Sequence, residues 1–322
     1  MKRILITGVN SYLGNAIEQY LAEYNAALGK EAYHVDKLSL REEAGKEDAW
    51  KQTSFAGYDT ILHVAGIAHA DVGNISQDIQ DLYYRINCGM TLAVAEKAKE
   101  EGVPQFVYFS SVIVYGDSGS LGKPKVITAH TKPQPANFYG DSKWQAEQGL
   151  QKLAAGVEKD NSEQMQRDFN IAILRLPMIY GKSSKGNFPL LVKLADKMPV
   201  FPAVNNQRSM LYVGNLAEFV RLLVEHGGGG IFFPQNAEYV TTAHMVQAIG
   251  KAQGRKIYLW KILNPFVVLA SYVPGKIGKL VNKAFGSLTI DRELTDENIK
   301  LLGDFYRYDL KTGIAKSVEK IS

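Results

Sequence analysis

The sequence contains almost no cysteine, since Cys88 is the only one among 322 residues. A single cysteine excludes an internal disulfide and fits a protein of a reducing compartment. Neither sign of charge dominates, because 37 Lys and Arg against 33 Asp and Glu leave a net charge of +4. No basic run is interleaved with aromatic residues, so the sequence does not indicate a nucleic-acid partner. The mild basicity suits an anionic small-molecule ligand.

Long hydrophobic runs and metal-ligand patterns are also missing. The first apolar run, Ile4–Thr7, is too short for a secretion signal and leads directly into a glycine turn, so we expect a cytoplasmic protein. His63, His69 and His130 do not stand at metal-ligand spacings, and we expect no metal site. His63 lies in an apolar strand and is expected to be a buried, hydrogen-bonded histidine. His69 follows that strand and could face the active site.

One apolar segment, residues 262–285, stands out near the end of the chain, with Lys276, Lys279 and Lys283 interspersed. Its uninterrupted apolar part is about half of the ~20 residues that a membrane span needs. Pro274 and Gly275 interrupt it. We expect a helical hairpin that covers a substrate lobe, and the alternative is a Lys-edged surface that touches a membrane.

A glycine turn opens the chain. The β-type run Lys2–Thr7 leads into Gly8-Val9-Asn10-Ser11-Tyr12-Leu13-Gly14, and a helical pattern follows. A strand, a glycine turn and a helix N-terminus together form a pocket for a pyrophosphate. Ser11 replaces the middle glycine and is expected to offer its N–H and hydroxyl to a phosphate. The predicted cofactor contacts here are Gly8, Asn10, Ser11, Tyr12, Leu13 and Gly14.

The most informative pattern is Tyr139-Gly-Asp-Ser-Lys143, which is preceded by Ser111 in a Phe-Ser-Ser-Val run. A Tyr and a Lys four residues apart share one face of a helix. An ammonium close to a phenol lowers the pKa of that phenol from about 10 towards the working pH. Such a pair predicts a general base that removes a proton from an alcohol while a hydride leaves for a nicotinamide.

Strand and helix patterns alternate along the chain. Apolar or β-branched runs recur at 3–7, 33–40, 60–65, 106–111 and 171–176, and the clearest helical stretches are 84–101 and 138–155. This alternation predicts an α/β fold, a Rossmann-type doubly wound parallel sheet with a smaller C-terminal substrate-binding lobe. We assign residues 1–176 to the dinucleotide-binding domain, to which the chain returns near 207–226, and residues 177–322 mainly to the substrate lobe.

Seven stretches in order carry a resemblance to a known family: 7–14, 59–66, 87–91, 110–116, 139–143, 174–181 and 207–216. The chain resembles an extended short-chain dehydrogenase/reductase of the NAD-dependent epimerase/dehydratase family that acts on nucleotide sugars. The resemblance covers nearly the whole length. It implies a nucleotide-activated sugar as substrate, most commonly UDP-linked, and a homodimer formed through the helices at 84–101 and 138–155.

The resemblance also implies roles for cofactor-binding residues. Ala65 and Gly66 would end a strand where the cofactor lies against the backbone, and Asn87 would brace the nucleotide-binding loops. Lys143 would hold the nicotinamide ribose as well as assist Tyr139, and Pro177 would pack beside the nicotinamide ring.

Further implied roles concern the substrate. Ser111 would hydrogen-bond the reacting sugar hydroxyl. Asn187 and Arg208 would reach the diphosphate of the sugar nucleotide, for which a guanidinium is well shaped. The alternatives are a surface-loop asparagine and a solvated arginine.

Two departures from the family pattern narrow the reaction. The family's 4,6-dehydratases carry an Asp-Glu pair where this chain has Val112 and Ile113, which cannot transfer protons. The predicted reaction is therefore C4 epimerisation through a 4-keto sugar. The alternatives are an NADPH-dependent 4-ketoreductase and a protein that binds the dinucleotide without catalysis.

The second departure concerns the choice between NAD and NADP. NAD-preferring proteins of this fold place an acidic residue at the tip of the second strand. Here that strand is predicted to run from Tyr33 to Leu40, and Arg41 at its tip, followed by Glu42, would favour a 2′-phosphate. If the strand ended earlier, Asp36 would hold the ribose of NAD. A solvated loop role for Arg41 is the third alternative, and the cofactor is NAD or NADP.

Overall fold

A computed structural model describes residues 1–41, 48–68, 75–155 and 169–319 of the chain. The chain divides into two compact units. The first comprises Met1–Gly116, Pro133–Arg175 and Ala217–Phe232, and the second comprises Asp117–Lys132, Leu176–Leu216 and Phe233–Ser322.

The regular elements follow the alternation that the sequence predicts. The first half contains β1 (Lys2–Thr7), α1 (Tyr12–Leu28), β2 (Tyr33–Leu38), β3 (Thr60–His63), α2 (Gln77–Tyr84), α3 (Thr91–Glu100), β4 (Gln105–Ser111), β5 (Lys125–Ile127) and α4 (Phe138–Ala155). The second half contains β6 (Asn170–Leu176), β7 (Met178–Tyr180), α5 (Phe188–Lys197), β8 (Val200–Pro202), β9 (Met210–Tyr212), α6 (Val213–His226), β10 (Gly230–Phe232), α7 (Thr242–Ala252), β11 (Tyr258–Trp260), α8 (Asn264–Ser271), α9 (Lys276–Phe285), β12 (Leu288–Ile290), α10 (Arg292–Leu302) and α11 (Leu310–Val318).

The first unit is built on a six-stranded sheet with the order β10-β6-β4-β3-β1-β2. The pairings of β1 with β2 and β3, of β3 with β4 and of β6 with β10 are parallel. Four consecutive residues of β1, Ile4–Thr7, are buried, as expected for a strand covered by helices on both faces. The predicted Rossmann-type α/β fold is confirmed.

The predicted helix at 84–101 differs in detail from the structure. It begins earlier, as α2, and a π-helical turn at Arg85–Met90 separates α2 from α3. The Thr91 hydroxyl donates to the carbonyl oxygen of Asn87 at 2.8 Å, and the Tyr108 hydroxyl lies 3.4 Å from the same oxygen. Side chains thus take up a carbonyl that an uninterrupted α-helix would pair with a backbone N–H. Turns of this kind often mark functional positions.

The second unit has three two-stranded parallel pairs in its described part, β5 with β12, β7 with β9 and β8 with β11. Its core gathers aromatic and aliphatic side chains from α5, α7 and the strands β7 and β9, among them Tyr180, Phe188, Met210, Met245 and Ile249. The helical hairpin predicted at 262–285 is present as α8 and α9, and the interruption at Pro274 and Gly275 lies between them.

Candidate active site

The glycine turn after β1 has the geometry of a nucleotide-binding turn. Gly8 has φ = +100°, which L side chains rarely adopt, and an added Cβ would lie 3.2 Å from the backbone of Ala65. An added Cβ at Gly14 would lie 3.0 Å from Ile6 Cγ2 and 3.2 Å from Val64 Cγ2. Helix α1 therefore packs against β1 at the distance that glycine allows.

Ser11 takes a different role from the predicted one. Its backbone N–H donates to the Gly8 carbonyl at 2.9 Å, so this N–H closes the turn and is not directed at a phosphate. Its hydroxyl oxygen caps α1 and accepts from the Gly14 N–H at 3.4 Å. In this structure the Ser11 N–H is thus already bonded within the turn, and its contact with a phosphate stays a prediction. Tyr12 and Leu13 lie in the first helical turn, and Asn10 is exposed beside it, at a helix start whose N–H groups lack intrahelical acceptors.

Asn87 holds the chain that follows β3. Its side chain is fully buried, accepts from the Ile67 N–H at 2.8 Å and donates to the Ile67 carbonyl at 3.0 Å. Its amide also donates to Ser142 Oγ at 3.1 Å, on α4. At Gly66 an added Cβ would lie 3.0 Å from Asn87 Oδ1 and 3.3 Å from Lys143 Nζ. Ala65 and Gly66 thus form a stretch of bare backbone beside Lys143.

The elements that carry Ser111, Tyr139 and Lys143 are in direct contact. Ser111 ends β4 and caps the following 3₁₀ turn, Val112–Tyr115, by accepting from the Ile113 N–H at 3.3 Å. Lys143 on α4 donates its Nζ proton to the Phe109 carbonyl at 3.1 Å, two residues before Ser111. The start of α4 lies close to the 3₁₀ turn, because a Cβ at Gly140 would be 2.9 Å from the Ile113 carbonyl.

The predicted depression of the Tyr139 pKa is wrong for this structure. Burial raises the pKa of Tyr139 to about 12, and the neighbouring Tyr83, whose ring meets it edge-on at 6.1 Å, adds to the rise. Burial also lowers the pKa of Lys143 to about 8, against an opposing effect of Glu147. The Lys143 ammonium is engaged elsewhere, with the Phe109 carbonyl and, at 4.7 Å, with the ring of Tyr108. Desolvation therefore outweighs the attraction that the Tyr-Lys spacing predicts.

Sequence reasoning missed a buried polar cluster beside the Lys143 position. Glu147, one helical turn after Lys143, is fully buried and forms an ion pair with Arg175 on β6. Ser110 Oγ donates to the same carboxylate, and Arg175 Nη1 donates to the Tyr115 hydroxyl oxygen at 2.5 Å. A charged residue inside the apolar run of β6, and a glutamate spaced four residues from a lysine, were the available signals.

The adenosine end differs from the predicted strand. β2 ends at Leu38, two residues earlier than predicted, and the Leu38 carbonyl accepts from the Gly8 N–H at 2.8 Å. Asp36 lies inside β2 opposite Leu5, where its carboxylate accepts from the Tyr58 hydroxyl at 2.8 Å. Asp36 is thus not at the strand tip, and the alternative that it holds the ribose of NAD is not supported.

Arg41 is exposed three residues after the end of β2, and its backbone N–H donates to Ser39 Oγ at 3.3 Å. His69, which the sequence placed as a residue that could face the active site, and Glu42, which follows Arg41, lie outside the described residues. The prediction for His63 is confirmed: it is buried, lies 2.9 Å from Thr7 Oγ1 and 3.0 Å from Thr91 Oγ1, and burial lowers its pKa to about 3.

Three predicted residues belong to the second unit. Pro177 is buried between β6 and β7, and Asn187 is exposed immediately before α5. Arg208 Nε donates to the Gly286 carbonyl at 3.1 Å and Nη2 donates to the Lys283 carbonyl. Burial lowers the pKa of Arg208 to about 10, and its guanidinium is not the solvated one of the alternative reading.

A model of the NAD dependent epimerase/dehydratase family matches residues 4–233, which include the glycine turn, Asn87, the Ser111 strand, the Tyr139 helix and Arg175. The chain belongs to this family. The resemblance inferred from the sequence is thereby confirmed, and the chain is an NAD(P)-dependent enzyme of the short-chain dehydrogenase/reductase type.

Curated relatives span most of the chain. It is 27% identical over 289 residues, 88% of this chain and 82% of the relative, to N-acetyl-alpha-D-glucosaminyl-diphospho-ditrans,octacis-undecaprenol 4-epimerase of Escherichia coli O157:H7. It is 26% identical over 318 residues, 92% of this chain and 90% of the relative, to UDP-glucose 4-epimerase of Vibrio cholerae.

Solved structures share the fold. UDP-glucuronic acid 4-epimerase from Bacillus cereus in complex with NAD superposes with a TM-score of 0.69 at 18% identity, over 98% of this chain and 97% of that one. A human epimerase family protein with NADPH gives a TM-score of 0.70 at 14% identity, over 99% and 100%. The fold therefore occurs with either dinucleotide.

Proposed function

We propose that the chain is an NAD(P)-dependent C4 epimerase of a sugar activated through a diphosphate, with UDP as the first carrier to test. The observation that carries the proposal is the hydrogen bond from Lys143 Nζ to the Phe109 carbonyl. It joins α4, which bears Tyr139, to β4, which ends at Ser111. The hydroxyl, the phenol and the ammonium of a short-chain dehydrogenase are thus carried by two bonded elements.

The residues present fit NAD(P). An added Cβ would crowd the Ala65 backbone at Gly8 and the Asn87 and Lys143 side chains at Gly66. The glycines keep main chain without side chains in the turn before α1 and next to Lys143, which suits a ligand that binds backbone N–H groups. The start of α1 suits a pyrophosphate. When bound, the dinucleotide supplies hydride transfer. Lys143 would hold its ribose, and Pro177 would pack beside its nicotinamide.

The protein's own part is to move a proton and to align the sugar. With a pKa raised to about 12, Tyr139 keeps its proton at neutral pH and can donate it to the oxygen of a 4-keto sugar. To take a proton from the C4 hydroxyl it must first ionise, which requires positive charge nearby in the loaded enzyme. Ser111 would share the hydrogen bond to the same sugar oxygen.

Dehydration is disfavoured by the residues of the 3₁₀ turn after Ser111. Val112 is buried, and Ile113 uses its backbone N–H to bond Ser111 Oγ. Neither side chain can serve as the acid or base needed to remove water. Two relatives are named 4-epimerases, and their alignments with this chain cover more than four-fifths of their length. This supports a reaction at C4.

The two relatives differ in the carrier, which is undecaprenol diphosphate in one and UDP in the other. A diphosphate is common to both. Arg208 and Asn187 are the residues that we assign to it, because a guanidinium can bind phosphate oxygens in pairs.

The first experiment is mass spectrometry of the nucleotide released from acid-denatured protein, followed by assays with UDP-glucose, UDP-N-acetylglucosamine and undecaprenyl-diphospho-N-acetylglucosamine. NAD⁺ retained near one per chain, with conversion of a substrate to its C4 epimer without added cofactor, supports the proposal. Tyr139→Phe should lose turnover while it retains dinucleotide binding. Normal turnover of this variant would refute the assignment of Tyr139, and bound NAD without any turnover would favour a non-catalytic dinucleotide-binding protein.

A second candidate is a 4-ketoreductase that uses NADPH. The observation in its favour is Arg41, which is exposed beyond the end of β2, while no carboxylate stands between Lys37 and Arg41. A protein purified without nucleotide that then binds NADPH far better than NADH, and consumes it with a 4-keto sugar, would select this candidate.

A further inference from the structure

Exposed apolar side chains are concentrated in one part of the second unit. Of the 17 large hydrophobic residues exposed in the described part of the chain, ten lie between positions 258 and 280. We call them the apolar surface: Tyr258, Trp260, Ile262, Phe266, Val268, Leu269, Tyr272, Val273, Ile277 and Leu280. Scattered exposed hydrophobics are ordinary, but a cluster of this size marks a contact surface.

The apolar surface is built on a defined hairpin of helices. Phe266 and Leu269 are three residues apart on α8, and Ile277 and Leu280 are three apart on α9, so each pair shares a helix face. Their exposed fractions are 68%, 70%, 59% and 58%. These values are far above those of core residues, so the faces point to solvent.

The hairpin is held in shape by a hydrogen bond between its two helices and by a close approach at its turn. The side-chain amide of Asn282 on α9 donates to the Ser271 carbonyl at the end of α8 and to the Gly278 carbonyl, each at 3.0 Å. A Cβ at Gly278 would lie 2.2 Å from the Val273 carbonyl in the connecting turn and 3.0 Å from the Ser271 carbonyl at the end of α8, so α9 packs on the turn as closely as glycine permits. The exposed apolar side chains therefore lie on a hairpin that is itself held together by packing and hydrogen bonds.

The stretch of sequence that carries this surface has charged residues of one sign. Residues 239–290 contain no Asp or Glu but seven Lys and Arg, although the net charge of the whole chain is only +4. Four of these cations have exposed side chains next to the apolar residues in sequence: Lys256, Lys261, Lys279 and Lys283. Apolar side chains edged by lysines match a bilayer surface with anionic headgroups, whereas the cores of protein–protein interfaces are depleted of lysine.

We propose that the apolar surface of α8 and α9 docks on an anionic lipid bilayer, with its apolar side chains in the interfacial region and its lysines on the headgroup phosphates. Each such lysine contributes attraction that falls off within a Debye length. No helix within the described ranges is long and apolar enough to cross a membrane.

The hairpin is connected to the residue that we assign to the diphosphate. Arg208 Nε and Nη2 hold the Gly286 and Lys283 carbonyls, at the C-terminal end of α9. A bilayer contact at α9 would thus bring Arg208 near the membrane surface. This step rests on the proposed function, and it makes a sugar diphosphate with a membrane lipid as carrier the substrate class that the surface serves.

Vesicle sedimentation of the full chain tests the docking. The vesicles contain phosphatidylcholine alone or with about 30% phosphatidylglycerol, a fraction chosen to give an anionic surface. We expect the wild type to sediment with the anionic vesicles. The partition coefficient of the double variant Phe266→Asp/Leu269→Asp should be lower by roughly tenfold or more. The matched control Leu28→Asp/Leu301→Asp adds the same two charges at exposed leucines elsewhere and should behave as the wild type.

Several results would overturn the docking. One is a wild type that stays in the supernatant with anionic vesicles, and another is a control that loses sedimentation as strongly as the Phe266/Leu269 variant. If the wild type does not bind vesicles but self-associates in light scattering, and the Phe266/Leu269 variant does not, this surface is an interface between copies of the chain. The dimer predicted through 84–101 and 138–155 uses other helices, so its presence alone does not bear on the docking.

Controls separate docking from folding and from catalysis. Melting temperature and dinucleotide binding of the variants should match the wild type, because the replaced side chains are exposed. If the Asp variant fails to fold, Lys279→Glu/Lys283→Glu tests the same surface and should lose anionic-vesicle binding. Vesicle binding without any epimerisation would refute the proposed function but not the docking. Epimerisation without vesicle binding would refute the docking but not the proposed function.

Discussion

Glu147 and Arg175 form a buried ion pair that joins α4 to β6. Arg175 Nη2 lies 2.6 Å and Nε 3.0 Å from Glu147 Oε2, and the two residues are 0% and 5% exposed. The carboxylate also accepts from Ser110, next to Ser111, and the guanidinium donates to Tyr115. The pair therefore supports both ends of the strand-turn segment that presents Ser111.

Breaking this pair should destabilise the first unit. Removal of one partner leaves an uncompensated buried charge, so we expect Arg175→Met to lower the free energy of unfolding by about 3–5 kcal/mol. The double variant Glu147→Leu/Arg175→Met should recover much of that loss, because it removes both charges. Urea unfolding monitored by circular dichroism measures both values. A double variant less stable than Arg175→Met would contradict the ion-pair explanation.

Lys143 should make stability depend on pH. Burial lowers its pKa from 10.5 to about 8, so between these values the unfolded chain holds a proton that the folded chain has released. The charged lysine therefore lowers the free energy of unfolding by its full amount below pH 8, and this destabilisation disappears as the pH rises towards 10.5. Lys143→Met should thus raise the free energy of unfolding at pH 7 by up to about 3 kcal/mol.

The gain from Lys143→Met should shrink by pH 10, as followed by urea unfolding at both pH values. The exposed Lys152 on the same helix is the matched control, and Lys152→Met should show neither effect. A difference between wild type and Lys143→Met that does not change with pH would show that loss of packing, not the charge, determines it.

Asn87→Ala should weaken both stability and dinucleotide binding. It removes the bonds to the Ile67 N–H and carbonyl, so we expect a loss of about 2–4 kcal/mol and at least a tenfold rise in the dissociation constant for NAD(H). Asn215 in the second unit is the control: it is also fully buried and bonds the N–H groups of Arg307 and Tyr308. Asn215→Ala should cost similar stability with unchanged NAD affinity, measured by fluorescence titration. Equal NAD affinities of the Asn87→Ala and Asn215→Ala variants would contradict the role of Asn87 in holding the nucleotide-binding loop.

Gly8→Ala should impair cofactor binding more than backbone strain alone explains. Both Gly8 and Gly102 have positive φ, +100° and +74°, but a Cβ at Gly8 meets the Ala65 backbone at 3.2 Å while one at Gly102 meets nothing within 4 Å. Each alanine costs about 1–2 kcal/mol of backbone strain. Only Gly8→Ala should raise the dissociation constant for NAD(P), as measured by calorimetry. Loss of affinity in Gly102→Ala as well would point to global destabilisation.

Arg41 decides the choice of dinucleotide if it binds the 2′-phosphate. Arg41→Ala should then weaken NADPH binding by roughly tenfold or more and leave NADH binding unchanged, because only NADPH offers the extra phosphate. Arg255→Ala, at another exposed arginine, is the control. Equal effects of Arg41→Ala on both dinucleotides would exclude this role for Arg41.

Local sequence determined the order of strands and helices and much of the site. Continuous apolar runs predicted buried parallel strands. Gly8 and Gly14 marked a turn, because only glycine fits the backbone conformation at Gly8 and the packing distance at Gly14. The Tyr139–Lys143 spacing needs nothing beyond a helix. These features depend on neighbours in the chain, so the sequence alone determined them, and it also marked the break between α8 and α9.

Only the tertiary structure decided what long-range contacts do to these groups. The Glu147–Arg175 pair, 28 residues apart, has no local signal that names its partner. Burial raised the pKa of Tyr139 and lowered that of Lys143, because desolvation depends on every atom packed around a group. The Ser11 N–H was taken by the turn itself, and Asp36 was taken by Tyr58. Which apolar residues of 258–280 face outwards was likewise a matter of packing, which periodicity alone does not determine.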